Sequence, residues 1–311
     1  VDIFDRRLVL VVGKGGVGRS TVAAAIASEC ADRGRKTLLY ETNANDRFGA
    51  FFQKSAVSTD PVQLAPNLFA INATPASALA EYGLMILKFK TVYEMVFENR
   101  VTKAFLRAIP GLDEYALLGK LWFHTTEEKR GKLVWDTIVF DMPASGHAIS
   151  MLRVPWVIVD TVPEGPLTRD ARTIKGLLTD PVRTATILVT LAEEMPVNEA
   201  CELEVKLTKL GIVPQQLIAN QIYPDRFPHG SPMERVLDAL ISPSGIPAGG
   251  SPLVELAEHA SLSRDRHHLN ARYLAELRKR AATPVSELPI LFAPKLGAEH
   301  VLALGKQLAA T

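Results

Sequence analysis

Cysteine is scarce in this sequence: Cys30 and Cys201 are the two among 311 residues, far apart and outside any CxxC pair. That excludes a disulfide framework and fits a reducing compartment. An excess of one charge sign is also missing. The formal net charge is +1 and no dense Lys/Arg stripe occurs, so a nucleic-acid surface has little to be built from. No apolar run approaches the ~18 residues of a membrane span. The first residues carry Asp2, Asp5, Arg6 and Arg7, unlike a signal peptide. A soluble cytoplasmic protein without a stable membrane anchor is the expectation. Internal repeats are absent as well. With 47% hydrophobic and 22% charged residues the chain is expected to bury an ordinary core.

What is present alternates. Short apolar runs, Leu8–Val12, Thr37–Tyr40, Leu68–Ala73, Thr137–Asp141, Thr186–Leu191, Leu217–Asn220 and Ile290–Phe292, are separated by helical stretches. Several are continuous Val/Ile/Leu rather than alternating, which suits strands covered on both faces of a parallel sheet. The prediction is a doubly wound, mainly parallel α/β fold with ligands at the carboxyl ends of the strands. From about residue 74 to 132 no strand is read. Met85, Phe89, Val92, Tyr93, Val96 and Phe97 form an amphipathic helical stripe there. Pro110 and Gly111 then make a turn, and Asp113 can cap the next helix. This region is predicted to be a helical insertion within a single domain spanning 1–311. A second irregular and helical region covers about 225–282, ending in a helix with Leu269, Tyr273, Leu274 and Leu277 on one side.

The stretch "LVLVVGKGGVGRSTVAAAIA", Leu8 to Ala27, reads as strand, glycine loop and helix. The phosphate loop runs G-x-x-x-x-G-K-[ST]. Gly13 and Gly18 hold its glycine positions, with Gly15, Gly16 and Val17 between them. Such a loop turns backbone N–H groups toward phosphate oxygens, and the helix N-terminus adds its positive end. Ser20 would ligate Mg²⁺ and Thr21 would reach the α-phosphate. A glycine turn without ligand is the alternative. Where lysine is expected stands Arg19, bulkier and not interchangeable with it. A lysine does occur early, as Lys14.

"GKGGVG" with lysine in second place resembles the deviant Walker A motif of P-loop ATPases related to MinD, ParA, the nitrogenase iron protein and ArsA. The resemblance implies that Lys14 reaches across a dimer interface to the partner's nucleotide; a solvent-facing loop lysine is the alternative. "WDTIVFDMPASGHAISMLRVP" ends a strand in Asp141, the position of a Walker B carboxylate for Mg²⁺. It continues into a stretch similar to the switch II signature of the ArsA family, matched at Pro143, Gly146, His147, Leu152 and Pro155. A structural role for His147 in that loop stands beside a catalytic one. "IPGLDEY" (109–115) resembles the family's helical insertion. "LIANQIYP" (217–224) matches where the family places an asparagine on the adenine edge, here Asn220. "LPILFAPKLGAEHVLALGKQL" (288–308) resembles its C-terminal strand, loop and helix, with Phe292 and Pro294 as adenine-loop candidates. The resemblance covers essentially the whole chain.

The chain departs from the family pattern in two respects. In "LLYETNANDRFGAFFQK" (38–54), Thr42 stands where the family's switch I carries a water-positioning aspartate. Glu41 or Asp46 would substitute, with Glu41 preferred; a strand-end carboxylate in solvent is the alternative. Arsenite binding needs converging thiolates, which two separated cysteines do not supply, and the zinc-binding CxxC of the related tail-anchored-protein targeting ATPase is missing. His267 and His268 are read as surface residues. The reading is a cytoplasmic ATPase with ATP and Mg²⁺ as cofactors, a homodimer or a heterodimer with a paralogue. Its nucleotide state would be coupled to a hydrophobic protein client, with the Met85–Phe97 stripe either lining a groove or packing on the sheet. Rival readings are a nucleotide-binding regulatory subunit with little turnover, a MinD/ParA-type positioning ATPase and a small-metabolite kinase.

Overall fold

The structure is a computed structural model that describes residues 2–42, 47–87, 111–241 and 252–310. It is an α/β fold built on a mostly parallel sheet, which agrees with the fold read from the apolar runs. Strand β1 (Leu8–Gly13) leads into helix α1 (Arg19–Asp32), and β2 (Thr37–Glu41) is followed by a single turn, α2 (Phe48–Phe51). Strands β3 (Val62–Ala65) and β4 (Leu68–Asn72) precede α3 (Pro75–Leu87), and α4 (Leu112–Thr126) precedes the short hairpin β5 (Glu128–Lys129) and β6 (Lys132–Leu133). Then come β7 (Thr137–Asp141), α5 (Ser145–Thr161), α6 (Pro166–Thr179), β8 (Thr184–Leu191), α7 (Glu194–Lys209) and β9 (Gln216–Ile222). The chain closes with α8 (Pro232–Ile241), α9 (Pro252–Arg280), β10 (Val285–Pro289) and α10 (Ala298–Ala309).

Among the described residues the main sheet has the order β10-β9-β8-β1-β7-β2-β4-β3, and β3 alone pairs antiparallel. From β7 the chain crosses to the other side of β1, so the strand order reverses around β1. Open sheets of this kind place ligands at that point, beyond the carboxyl ends of the strands. Leu8 to Gly13 are buried on both faces. Leu8, Leu10 and Val12 join one core; Val9 and Val11 join the other. Each such side chain contributes ~1.5–3 kcal/mol by leaving water. Helix α1 is buried nearly all round, which its Ala-rich sequence permits: it lies between the sheet and α10.

Three sequence expectations change. The last strand is Val285–Pro289, not Ile290–Phe292. It is an edge strand, where Ser286 and Glu287 meet solvent at little cost, so apolarity misplaced it. The stretch read as wholly helical contains the β5–β6 hairpin, whose turn residues Arg130 and Gly131 both have positive φ. A two-residue loop of that kind matches strand twist, but strands this short leave no period to read. The edge strand β3 was also not foreseen. The amphipathic stripe from Met85 to Phe97 runs beyond the described residues after Leu87. In α9, Tyr273, Leu274 and Leu277 are buried and Leu269 packs against them, as the sequence pattern had it.

Candidate nucleotide site

Gly13, Glu41, Asp141 and Asn220 all sit at or next to the carboxyl ends of strands, around the loop that follows β1. The loop turns through two left-handed glycines, Gly16 and Gly18, before α1 begins at Arg19. Gly18 is held to glycine twice: its φ is 85°, and a Cβ there would overlap the side-chain nitrogen of Asn220. Asn220 is buried and donates to the Val17 carbonyl at 2.9 Å, so its amide braces the loop from β9. Phe292, beyond β10, is 60% exposed and touches Tyr223 edge-on, with Arg226 stacked over its ring. Pro294 is exposed beside it. Thr21, at the start of α1, is half-buried.

The pair that sequence spacing could only suggest is Ser20 with Asp141. The Ser20 hydroxyl donates to Asp141 Oδ2 at 2.6 Å, and both residues are buried. A charge-assisted bond of this kind stabilises by about 1.5–3 kcal/mol. Two buried oxygen donors at the end of a glycine loop are the hard donor set that Mg²⁺ takes; these residues therefore fit the ion. Glu41 is fully buried rather than a strand-end carboxylate in solvent, and β2 and β7 place it in register with Asp141.

The Arg19 side chain runs beside Gly13, at the base of the loop. Its guanidinium donates to the Met142 carbonyl, at the start of the stretch Met142–His147 that precedes and opens α5. Burial pulls its pKa below the usual arginine range, opposed by the charge of Asp141. Lys14 Nζ lies 2.7 Å from Glu199 Oε1 on α7, with both side chains about a third exposed. Such a pair is worth at most ~1 kcal/mol, so it positions Lys14 without locking it. Pro143 is half-buried in the segment leading to α5. Gly146 lines a cavity of about 680 Å³ between α5 and α7, together with Glu199 and Arg153. His147 is exposed, 3.7 Å from Glu114 of α4, which links this segment to a helix within the proposed insertion.

A family model described as anion-transporting ATPase matches residues 6–164 and 166–234, which takes in the loop, Ser20, Asp141 and Asn220. The chain belongs to the anion-transporting ATPase family. ATPase BagA of Mycobacterium tuberculosis is 30% identical over 226 residues, 70% of this chain and 66% of that protein. The ATPase ASNA1 homolog of Cryptosporidium parvum is 26% identical over 288 residues, 80% of this chain and 76% of the relative. An arsenical pump-driving ATPase of Escherichia coli is 26% identical over 234 residues, 68% of this chain but 39% of the relative. The matched stretch thus spans just under two thirds of the mycobacterial relative and well under half of the bacterial pump ATPase.

Within this family fold, several site residues escaped the sequence reading. Glu199 lies far along the chain from Lys14, and Glu114, within the segment 109–115 already singled out, gave no sign of its contact with His147. Arg47 was passed over although its Nη1 donates to Ser20 Oγ at 3.0 Å. His267, read as surface, is half-buried, with Nδ1 2.9 Å from the Tyr223 carbonyl. Asn270 is buried, accepts from Tyr223 N–H and donates to the Ala192 carbonyl, tying α9 to the loops after β8 and β9. Asn270 sits on the same helix face as Tyr273, Leu274 and Leu277, a polar residue within an apolar row, which is the signal that could have marked it. The two thiols lie on opposite faces of the sheet: Cys30 joins one core and Cys201 packs against the other. Burial pushes the Cys30 thiol up to about 12. Among the described residues no group of three or more His, Cys, Asp or Glu side chains converges as a metal-binding set. No helix of the described residues is long and apolar enough to cross a membrane.

Proposed function

We propose that this chain is an ATP-hydrolysing dimeric switch. The observation that carries the reading is the buried Ser20–Asp141 pair at the end of the glycine loop. The N–H groups of Gly13–Gly18 and the start of α1 would bind the phosphates, and Ser20 and Asp141 would hold Mg²⁺, which supplies charge neutralisation at the phosphate oxygens when bound. Thr21 follows on the first turn of α1. Asn220 braces the loop, and Phe292 and Pro294 would flank the base. Glu41, in register with Asp141, would orient water, the role for which phosphoryl transfer needs placement more than covalent chemistry. Lys14 would leave Glu199 and reach a partner protomer, a move made cheap by the exposure of that pair. Arg19, bonded to Met142, and His147, beside Glu114, would carry the change through Pro143 and Gly146 toward α4 and the proposed insertion.

A client surface would lie among the helices beside this segment. Tyr115, Val154, Val157, Ile158 and Leu167 line a largely apolar groove of about 500 Å³ between α4, α5 and α6, and Val157 is 49% exposed. A hydrophobic protein segment would suit it. Arsenical transport, named for the Escherichia coli relative, is not carried over, because the two thiols of this chain are separated by the sheet. One observation favours a second reading, a nucleotide-holding regulatory subunit with little turnover: the Arg19 guanidinium is engaged by the Met142 carbonyl.

The test combines phosphate release from Mg-ATP with light scattering. The proposal expects turnover that Lys14→Ala abolishes, and a two-protomer mass with a non-hydrolysable ATP analogue. Nucleotide binding with no release above the Lys14→Ala control would favour the regulatory reading. A monomer under every nucleotide condition would remove Lys14 from the site.

A further inference from the structure

Ser20 has two hydrogen-bonding neighbours, which take its proton and one of its two lone pairs. The proton goes to Asp141 Oδ2 at 2.6 Å. A lone pair is taken by Arg47 Nη1 at 3.0 Å. Mg²⁺ at this hydroxyl would share a single small oxygen with a guanidinium at hydrogen-bond distance, and the two cations would oppose one another by like charge. Guanidinium and divalent ion therefore compete for this oxygen.

The fold holds Arg47 in place for this. Arg47 caps the single turn α2, and the Phe51 N–H donates to its carbonyl. The next residue, Phe48, is fully buried in the core beneath α1 and packs its ring against Phe51. Arg47 is an exposed residue whose guanidinium reaches a buried hydroxyl. Arg47 is also close enough to Arg19 to act on it electrostatically, as Asp141 does. Two arginines and a carboxylate thus share one polar cluster at the end of the glycine loop.

We propose that Arg47 is a positioning residue of this site that occupies the divalent-cation position on Ser20, so that Mg²⁺ must displace it before nucleotide is held in its metal-bound form. The inference rests on the ATP–Mg²⁺ reading of the site. Once displaced, the guanidinium stays tethered by Phe48 beside the loop, with a planar donor fork suited to phosphate oxygens. Its first effect is to raise the Mg²⁺ concentration that nucleotide binding requires.

The experiment titrates MgCl₂ into the full chain with methylanthraniloyl-labelled ADP and reads fluorescence for wild type, Arg47→Ala and Arg47→Met. Methionine keeps much of the side-chain volume without the charge. Both variants are expected to reach half-maximal metal-dependent binding at about fivefold less Mg²⁺ than wild type, or lower. Mn²⁺ binding by electron paramagnetic resonance should shift the same way, a readout independent of turnover. A midpoint unchanged, or moved upward, in the two variants would overturn the role of Arg47 while leaving the nucleotide site standing. Absence of labelled-ADP binding in all three folded proteins, judged by circular dichroism, would overturn the nucleotide reading and this inference with it.

Discussion

At the scale of residues, the site depends on small groups whose chemistry leaves little room for substitution. Gly18 is the clearest case. Alanine there takes on a left-handed backbone, which costs about 1–2 kcal/mol, and its methyl displaces the Asn220 amide from the Val17 carbonyl. Both effects fall on the glycine loop. Gly18→Ala is expected to weaken labelled-nucleotide binding by on the order of tenfold or more, the equivalent of ~1.4 kcal/mol, in a fluorescence titration. Asn220→Ala should reproduce part of that loss, because it frees the same carbonyl without straining the loop. The glycine spacing and the Ser-Thr pair were legible in the sequence because their roles are local. Arg47 was not, because its partner is 27 positions away and its own neighbours form no motif.

At the scale of elements, the position of the loop relies on how closely α1 approaches α10. Gly305 lies in α10 against the Ala25 carbonyl of α1, and a Cβ there would overlap that backbone oxygen. Alanine improves helix propensity by ~1 kcal/mol, but forcing two buried helices apart costs ~1–3 kcal/mol, and a backbone atom cannot swing aside. The overlap is expected to win. Gly305→Ala should lower unfolding stability by about 1–2 kcal/mol in urea denaturation and loosen nucleotide binding through α1. The alternation of apolar runs and helices was readable because it repeats at a fixed local period. The strand β10 was misplaced because edge strands need not be apolar, and β5–β6 is too short to show a period. The contact between Glu114 and His147 joins α4 to α5 and could not be read from either helix alone.

At the scale of the whole molecule, buried ionisable groups make stability depend on pH. His124 is buried at the end of α4, with Nδ1 3.0 Å from Glu127. Desolvation lowers its pKa, outweighing the opposing hydrogen bond from Glu127. The unfolded histidine gains a proton near pH ~6.5, while the folded one resists it. Its contribution to stability is therefore present above about pH 6.5 and lost as pH falls toward the lower folded value. The loss from one group is at most ~1.4 kcal/mol per pH unit. Thermal melts of the wild type should fall between about pH 7 and 5, and His124→Gln should flatten that slope. A slope unaltered by the substitution would place the acid sensitivity elsewhere.

The sequence by itself determined the fold class, the glycine loop and the family, because each rests on patterns within a few residues or on motifs in fixed order along the chain. It also nominated Ser20 and Asp141 separately. Tertiary structure decided what those residues do to one another. The 2.6 Å bond between Ser20 and Asp141 exists because β1 and β7 are neighbours in the sheet, not because the sequence brings them together. Glu41 is buried in register with Asp141 because β2 pairs with β7. Lys14 meets Glu199 because α7 returns past the loop, and Arg47 meets Ser20 because Phe48 is anchored under α1. Charge and hydrogen bonding act through space, and their strength is set by burial; spacing along the chain carries neither quantity.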